Sequence, residues 1–494
     1  MYVIDLNEGS YEYDIHSLVK SFYPEETVSV LTPETGADKR KNLEKAIRMR
    51  VEIGKGAAKV CVDGTEYCWQ GETCETGFKQ GFKRFFYRTL CAITGRTLPW
   101  GSLTGIRPTK LAYAKLEAGA EDEQIAQFLQ EQYFVSPEKT ALSIDIARRE
   151  RQILSRIRHE DAAGVRGNAY TGGYSIYIGI PFCPTTCLYC SFTSYPIAGY
   201  RKLTDTYVDC VIRELEEVAR LTEGRILDSV YIGGGTPTTL EAEQLDRLIR
   251  RLQELFDFST VKEFTVEAGR ADSITEEKLR VLHEHRVSRI SVNPQTMNQD
   301  TLDMIGRKAT VEQVKEAFAL ARRVGFTNIN MDLILGLPGE REGEVQYTID
   351  EVLRLAPDSL TVHSLAIKRA SRLNQWVQEN GISLLSNTDE TMRIAAEGAR
   401  RLGMVPYYLY RQKNMSGNFE NVGYAHPDKL GLYNILIMEE VQSIIACGAG
   451  SITKRVFPDG RIERCENVKD VALYIEKIDE MIERKRTLFN APGC

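Results

Sequence analysis

The sequence predicts an α/β fold built on six βα units, with an α+β domain before them and a mixed extension after them. Three observations predict this. Short apolar strands alternate with helical segments from about residue 174. Near the N-terminus, by contrast, apolar and polar residues alternate with a period of two. In addition, 494 residues are too many for one ordinary core. We expect domains at residues 1–165, 166–385 and 386–494.

The N-terminal domain combines a small sheet with helices. The segment "AIRMRVEIGKGAAKVCVDGTEYCWQG" alternates in period two around Gly and Asp-Gly turns, which predicts an antiparallel meander. A long charged helix begins at Ser136, a good N-cap, with Pro137 in its first turn. The polar, Gly-rich segment "HEDAAGVRGNAYTGG" then predicts a linker.

The strip from Thr76 to Leu116 carries basic residues interleaved with aromatic ones and contains no acidic residue. Such a strip could bind RNA or present a platform for an acidic partner. The favoured interpretation is an amphipathic helix that packs its aromatic side chains into a core.

Six strands predict the central fold: "YSIYIGI", "LDSVYIGGG", "VKEFTVEAG", "VSRISVNPQ", "NINMDLILG" and "DSLTVHSLA". Each is followed by a helical stretch, which predicts parallel strands with right-handed crossovers, in an open sheet or a full or partial barrel. Six units are two short of an eight-fold barrel. Polar residues and glycines cluster at the strand ends, where ligand sites of parallel sheets lie, so we expect one shared active site there.

The C-terminal extension begins with a capped amphipathic helix, "SNTDETMRIAAEGARRLG", and a strand, "VPYYLYR". Its last part, "VKDVALYIEKIDEMIERKRTLF", predicts one charged helix.

The composition excludes several classes of protein. With 63 Lys and Arg against 69 Asp and Glu, the chain has no general attraction to nucleic acid or anionic membranes. No signal peptide and no apolar run of about 18 residues is present, so we expect a cytoplasmic protein. In a reducing cytoplasm, a tight group of cysteines more often binds a metal or does chemistry than forms disulfides.

Three cysteines follow the first strand of the central fold at C-x3-C-x2-C spacing: Cys183, Cys187 and Cys190. A structural zinc site needs four ligands, and no fourth Cys or His lies within nineteen residues on either side. Three thiolates would hold a [4Fe-4S] cube and leave one iron open for a small molecule. The spacing therefore favours a cluster site over a disulfide or an incomplete zinc site.

The segment "YIGIPFCPTTCLYCSF" resembles the cluster motif of the radical S-adenosylmethionine (SAM) superfamily, in its oxygen-independent coproporphyrinogen III oxidase branch. That branch also holds heme chaperones and a longer group, the coproporphyrinogen dehydrogenases of the HemZ type, which this chain resembles most. The resemblance covers about residues 174–455 and implies a partial (β/α)6 radical SAM barrel. It also implies a [4Fe-4S] cluster on the three cysteines.

Further motifs recur in the family's order, among them "GGGTPTTL", "TVEAGR" and "NINMDLILGLPGE". Read alone, the glycine run is a tight turn, or a turn that lets the backbone approach a ligand closely. A carboxylate at a strand end suits a ribose diol, because it can accept two hydrogen bonds. The resemblance assigns SAM contacts to Tyr177, Tyr189, Gly234, Gly235, Thr236, Glu267, Gln295, Arg307, Asp332, Ala366 and Ile452.

A tetrapyrrole with several propionates needs cations, and basic residues are predicted near the mouth of the barrel. We expect substrate contacts, within a substrate-covering C-terminal domain, from Lys368, Arg369, Arg372, Arg411 and Lys413. The alternative is a solvated basic face.

The chain departs from the family pattern at Phe192, where the well-characterised decarboxylases carry a fourth cysteine; the heme chaperones share this departure. Gly179 and Ala309 replace histidines that are common in relatives. The resemblance implies an oxidoreductase that converts coproporphyrinogen III to protoporphyrinogen IX, with one-electron donation by a flavodoxin or ferredoxin. The alternatives are a methyl or adenosyl transferase acting on a tetrapyrrole, and a heme-binding chaperone. Nucleic acid is not expected as a partner.

Overall fold

The computed structural model describes residues 1–24, 26–71, 75–105, 107–159, 170–368, 371–411 and 419–490. It divides the chain into two compact units, Met1–Arg148 with Leu409–Glu420, and Arg149–Tyr408 with Asn421–Cys494. The predicted three-domain division stays a prediction; its boundary near residue 385 lies inside the second unit.

The first unit is an α+β sheet with helices. Its five strands are β1 Tyr2–Leu6, β2 Val28–Leu31, β3 Ile47–Gly54, β4 Ala57–Val62 and β5 Thr65–Gln70, in the order β2-β1-β3-β4-β5. Its helices are α1 Glu12–Phe22, α2 Ala37–Leu43, α3 Glu75–Thr94, α4 Thr109–Glu117, α5 Asp122–Tyr133 and α6 Pro137–Leu154. Strands β3, β4 and β5 pair antiparallel, which confirms the predicted meander. Ser136 caps α6 as predicted, since its Oγ accepts a hydrogen bond from Lys139 N at 3.2 Å.

Helix α3 packs its aromatic face into the core of the first unit. Phe78, Phe82 and Phe86 are buried, and Trp69 of β5 packs on Phe78 at 5.1 Å between ring centroids. On the other side of the helix, Lys83 Nζ lies 2.7 Å from Asp14 Oδ1. The aromatic residues of α3 therefore pack into a core, as the favoured interpretation of the aromatic-basic strip predicts.

The second unit is built on one sheet of eleven strands. The central strands are β6 Gly173–Ile180, β9 Ile226–Gly234, β10 Glu263–Gly269, β11 Arg289–Val292, β12 Ile329–Leu335 and β13 Ser359–Ser364. A short pair, β7 Phe182–Cys183 and β8 Tyr195–Pro196, lies outside that sheet. The remaining strands are β14 Val405–Tyr410, β15 Asn421–Ala425, β16 Ser443–Cys447, β17 Ile452–Val456 and β18 Ile462–Glu466.

Helices connect and extend these strands. They are α7 Thr204–Leu221, α8 Ala242–Leu255, α9 Glu276–Glu284, α10 Gln299–Met304, α11 Val311–Val324 and α12 Glu342–Leu355, followed by α13 Arg372–Asn380, α14 Asp389–Arg401, α15 Leu432–Glu439, α16 Val471–Glu476 and α17 Ile478–Asn490. None of the helices in the described residues combines the length and the apolar character that a membrane crossing requires.

The strand order is β14-β15-β13-β12-β11-β10-β9-β6-β16-β17-β18. All six strands of the predicted βα units are present, and each pairs in parallel with its neighbour in the unit series. Strand β16 extends the sheet in parallel beside β6, and β15 pairs antiparallel with β13. The predicted α/β fold with a partial (β/α)6 barrel is confirmed.

The C-terminal helical segment differs from the prediction, because it forms two helices that meet at Lys477 instead of one. Tyr474 OH donates to Glu214 Oε2 at 2.7 Å, and Lys485 Nζ bonds to Oε1 of the same carboxylate. One buried acid therefore receives a hydrogen bond from a side chain of each helix.

Glu214 on α7 anchors the C-terminal extension to the barrel. Both Glu214 and Lys485 are buried, and Gly448 N donates to Glu214 Oε2 at 2.8 Å. Tyr207, also on α7, donates to Gly179 O at 2.7 Å and accepts from Ala449 N at 2.9 Å. The turn after β16 is therefore fixed at the carboxyl end of β6.

We predict that Lys485→Met lowers the free energy of unfolding by about 3–5 kcal/mol, because it leaves the Glu214 carboxylate buried without its cation. The matched control is Arg213→Met, since the Arg213–Asp479 pair joins the same helices but is 50% and 84% exposed. The control should cost less than about 1 kcal/mol. Urea unfolding followed by circular dichroism measures both, and equal losses would contradict the prediction.

Candidate functional site: the cysteine loop and the barrel lumen

The three predicted cluster ligands lie in the loop that follows β6. Cys183 belongs to β7, which pairs in parallel with β8. A turn joins the other two, in which Cys190 N donates to Cys187 O at 3.2 Å. All three are free thiols.

The thiols face protein groups suited to sulfur ligands. Thr236 Oγ1 lies 3.5 Å from Cys183 Sγ, and Ser194 Oγ lies 3.6 Å from Cys190 Sγ. Burial, together with the charges of Cys190 and Cys187, raises the pKa of the Cys183 thiol to about 11, although the Thr236 hydrogen bond and the Arg270 charge oppose the rise. The three sulfur atoms are therefore within electrostatic range of one another.

Within the described ranges, no group of three or more His, Cys, Asp or Glu side chains is arranged to hold a single metal ion. A zinc site requires its ligands to converge on one ion. A [4Fe-4S] cluster takes one thiolate per iron, which spreads the ligands over a larger group. The three loop thiols, two of which have a hydroxyl group beside them, would supply three of the four ligands of such a cluster, which would leave one iron without a protein ligand.

Neighbouring segments hold the loop by hydrogen bonds. Arg270, directly after β10, donates from Nη1 to Thr185 O at 3.0 Å and to Cys187 Sγ at 3.7 Å. Leu188 N donates to Ile305 O at 2.9 Å. At the start of α13, Leu373 N donates to Leu188 O at 2.9 Å. These contacts come from different βα units, so the loop conformation is set by the assembled barrel.

The glycine turn after β9 is pressed against the start of the cysteine loop. Gly235 N donates to Ile180 O at 2.8 Å, and Thr236 N donates to Phe182 O at 2.7 Å. A Cβ on Gly235 would lie 2.6 Å from Phe182 O. The sequence argument assigned the glycines to close approach of a ligand; at Gly235 the group that approaches is the protein's own backbone. Gly234, at φ +106°, lies beside the Tyr177 hydroxyl.

The predicted ribose-binding acid, Glu267, faces the barrel lumen from β10. Its Oε1 accepts a 2.5 Å hydrogen bond from Tyr231 OH. A Cβ on Gly233 would lie 2.9 Å from the Glu267 carboxyl carbon, so glycine makes room for this carboxyl group. Burial raises the Glu267 pKa to about 7, while hydrogen bonds from Tyr231 and Gly234 N–H oppose the rise.

Three tyrosines stack beside this acid. Tyr231 and Tyr433 are parallel at 4.4 Å between ring centroids, and Tyr177 lies 6.2 Å from Tyr231. Tyr177 and Tyr231 are register partners on β6 and β9, which explains why they share one face. The stack restricts the Tyr231 ring and hence the direction of its hydrogen bond to Glu267.

Asp332 lies across the lumen from Glu267. Burial by itself raises the Asp332 pKa, but His363 and Asn330 outweigh that effect and hold the pKa below its usual value. Asn330 Nδ2 donates to Asp332 Oδ1 at 2.7 Å. Asp332 thus stays a carboxylate, and its charge contributes to the raised pKa of Glu267.

Gln295 has two unusual features at its predicted SAM position. Its φ is +71°, in the left-handed region that residues other than glycine rarely adopt. Its Oε1 is buried and has no hydrogen-bond partner within the described part of the chain. A ligand that donates to this oxygen would remove the cost of burying it unpaired.

Arg307 lies near Tyr189, which belongs to the cysteine loop. Arg307 is 4% exposed, and its positive charge opposes the burial that raises the Tyr189 pKa. Gly306 O, next to Arg307, accepts from Thr185 Oγ1 at 3.0 Å. Both predicted residues therefore contact the region of the thiols.

The other two predicted cofactor residues lie at the ends of two strands. Ala366 follows β13 and is half-buried, and Ile452 starts β17 with 43% of its surface exposed. Phe192, two residues after the last cysteine, is 75% exposed.

The structure brings together only some of the basic residues that are predicted to contact the substrate. Arg372 bonds to the cysteine-loop carbonyl of Thr186, and Lys368 is half-buried. Arg411 instead belongs to the first unit, where its Nη1 donates to Leu103 O at 2.7 Å. Its guanidinium lies over the Trp100 ring, and burial lowers its pKa to about 10. Arg369 and Lys413 lie outside the described residues.

Sequence reasoning missed three residues: Tyr231, Tyr433 and Arg270. A signal existed for the first, because alternation along β9 places Tyr231 on the face of Gly233. Arg270 stands within the quoted "TVEAGR" motif, but only the fold shows that its side chain reaches Cys187. For Tyr433, on a helix far along the chain, the sequence carries no comparable signal.

Comparisons with known proteins agree with this arrangement. The profile of the radical SAM superfamily matches residues 177–352. The chain is 42% identical over 407 residues to the oxygen-independent coproporphyrinogen-III oxidase-like protein HemZ of Bacillus subtilis, covering 81% of this chain and 79% of that protein. It is 35% identical over 211 residues to the heme chaperone HemW of the same organism, covering 42% of this chain and 55% of HemW.

Among solved structures, the coproporphyrinogen III oxidase HemN of Escherichia coli has a similar fold. The TM-score is 0.52 at 22% sequence identity, covering 67% of this chain and 72% of that one. This chain belongs to the radical SAM superfamily, whose members use a [4Fe-4S] cluster and SAM, and within it to the oxygen-independent coproporphyrinogen III oxidase-like family that includes HemZ.

Proposed function

We propose that the protein catalyses the oxygen-independent oxidative decarboxylation of coproporphyrinogen III to protoporphyrinogen IX, as an oxidoreductase of heme biosynthesis. The observation that carries the proposal is the turn Gly234–Thr236. Gly233, directly before this turn, lies against the Glu267 carboxyl group, and the Thr236 hydroxyl lies 3.5 Å from Cys183 Sγ. One short segment thus borders both a proposed cluster ligand and the proposed ribose acid, so it would lie beside a SAM molecule bound to both.

The chain's own residues bind and orient the cofactors. Cys183, Cys187 and Cys190 would hold the cluster, and Glu267 would accept hydrogen bonds from the ribose hydroxyls of SAM. Gln295 would accept a further hydrogen bond through its orphaned Oε1. When bound, the cluster and SAM supply one-electron chemistry that removes hydrogen from an unactivated carbon.

The overall change in the substrate balances in atoms and electrons. Each reacting propionate would lose one hydrogen atom to the adenosyl group that SAM supplies, one CO2, and one electron to an external one-electron acceptor, and a vinyl group would remain. Lys368 and Arg372 would pair with the propionates that do not react. The electron that starts each cycle would come from a flavodoxin or ferredoxin.

The first test is turnover. Anaerobic, reconstituted protein with SAM, dithionite and coproporphyrinogen III should release CO2 and form vinyl porphyrinogen, measured by chromatography and mass spectrometry. The control omits SAM. A methylated or ring-opened tetrapyrrole would support the transferase alternative instead, and stable heme binding without turnover would support a heme chaperone, the function that HemW is named for.

The second test addresses the cluster ligands. Cys187→Ala should abolish the [4Fe-4S] signal and bound iron, because one iron loses its thiolate. The matched control is Cys210→Ala, a buried thiol on α7 that should retain full iron content. Iron and sulfide analysis with ultraviolet-visible spectra gives the result, and a complete SAM-reactive cluster in Cys187→Ala would refute the ligand assignment.

The third test uses pH. The folded pKa of Glu267, about 7, lies above its ordinary value of 4.5, so the site binds a proton between these values and becomes a carboxylate above pH 7. Because the carboxylate is the form that accepts two ribose hydrogen bonds, SAM affinity should rise up to about tenfold from pH 6 to pH 8.

Calorimetric titration at each pH measures this affinity. Glu267→Gln should bind SAM more weakly and with little dependence on pH, whereas Tyr347→Phe, at an exposed position, should behave like the native chain. A tenfold rise that persists in Glu267→Gln would assign the titration to another group.

A further inference from the structure

We propose that Arg270 is a positioning residue for the cluster: it fixes the central cysteine of the loop and makes the bound cluster easier to reduce. This inference rests on the proposed role of Cys183, Cys187 and Cys190 as cluster ligands. It concerns a residue that was not among those predicted to contact the cluster or SAM.

The contacts of Arg270 connect it to the middle of the cysteine loop. Its Nη1 donates to Thr185 Oγ1 at 2.8 Å, to Thr185 O at 3.0 Å and to Cys187 Sγ at 3.7 Å. The residue is 4% exposed, so water competes little for these donors. Cys187 is also the most buried of the three loop cysteines.

A carboxylate fixes the other edge of the guanidinium. Arg270 Nε and Nη2 donate to Asp272 Oδ1 and Oδ2 at 3.0 and 2.7 Å. The backbone is held as well, since Arg270 N donates to Ala268 O at 2.7 Å and Ser273 N donates to Arg270 O at 3.0 Å. A planar guanidinium can bond along two edges at once, which the single ammonium of a lysine cannot reproduce.

Reduction of the cluster adds one electron, delivered by an external one-electron donor, and breaks no bond. The added negative charge is stabilised by a nearby cation and by hydrogen bonds to the ligand sulfur atoms, both of which raise the reduction potential of a cluster. Arg270 supplies both effects at Cys187. Asp272 carries the opposite charge, so it weakens the effect while it holds the guanidinium in place.

Because Arg270 and Asp272 carry opposite charges, removing one or the other should shift the reduction potential of the cluster in opposite directions. Arg270→Gln removes the positive charge but keeps an amide that can donate to Thr185 O, and it should move the reduction potential to a more negative value. Arg270→Lys keeps the charge and should shift the potential less than Gln. Asp272→Asn removes the neighbouring negative charge and should move the potential to a more positive value.

The measurement is a redox titration of the anaerobically reconstituted full-length protein, followed by electron paramagnetic resonance of the reduced cluster. The matched control is Arg280→Met, an exposed arginine on α9 that pairs with Glu276 and should leave the potential unchanged. Iron content is measured on every variant before titration.

Several results would overturn the inference: a native potential in cluster-loaded Arg270→Gln, equal shifts in the Gln and Lys variants, or a negative shift in Asp272→Asn. Where Arg270→Gln assembles no cluster, Arg270→Lys keeps the inference testable, because it retains the charge and its potential should lie only slightly below the native value. Failure of the proposed ligand set is separable, because it would appear as full iron retention in Cys187→Ala whatever the titrations of the Arg270 and Asp272 variants give.

Discussion

The site depends on one close contact between two backbone segments. The turn Gly234–Thr236 lies against residues 180–182, with hydrogen bonds of 2.8 and 2.7 Å and too little space for a Cβ on Gly235. Since β6 and β9 pair in parallel, this contact joins the carboxyl ends of two neighbouring strands. It sets where the cysteine loop begins, and through Gly234 and Thr236 it sets the distance from the first thiol to the lumen carboxylate.

Around that contact, the electrostatics are arranged by burial and pairing. Within the lumen, His363 and Asn330 keep Asp332 ionised, while burial raises the pKa of Glu267 toward neutral pH. Two nearby carboxyl groups with pKa values shifted in opposite directions are typical of functional sites rather than of structural ion pairs. The stacked tyrosines add rigid surface, so Glu267 presents its free oxygen in a fixed direction. At the cysteine loop, the buried Arg270 guanidinium likewise lies between the Asp272 carboxylate and the Cys187 thiol.

The C-terminal extension continues the sheet beyond β6. Strand β16 pairs with β6, and the buried Glu214 holds the following turn together with α16 and α17. This extension also supplies Tyr433, which stacks on Tyr231 beside Glu267. The exposed Phe192, at the position where the well-characterised decarboxylases carry a cysteine, lies outside this packing and leaves the three-thiol arrangement intact.

The sequence by itself determined the six βα units, the positions of the three cysteines and the motifs at the strand ends. These are local properties: apolar periodicity, turn residues and ligand spacing are written in consecutive residues. Only the tertiary structure decided which distant residues meet. It placed Arg270 on Cys187, Tyr433 on Tyr231 and Lys485 on Glu214, and it assigned Arg411 to the first unit instead of the barrel mouth. It also divided the last helix at Lys477, and each half contributes a partner to one buried carboxylate. Such pairings are set by strand register and burial between segments far apart in the chain, for which a single sequence carries no local signal.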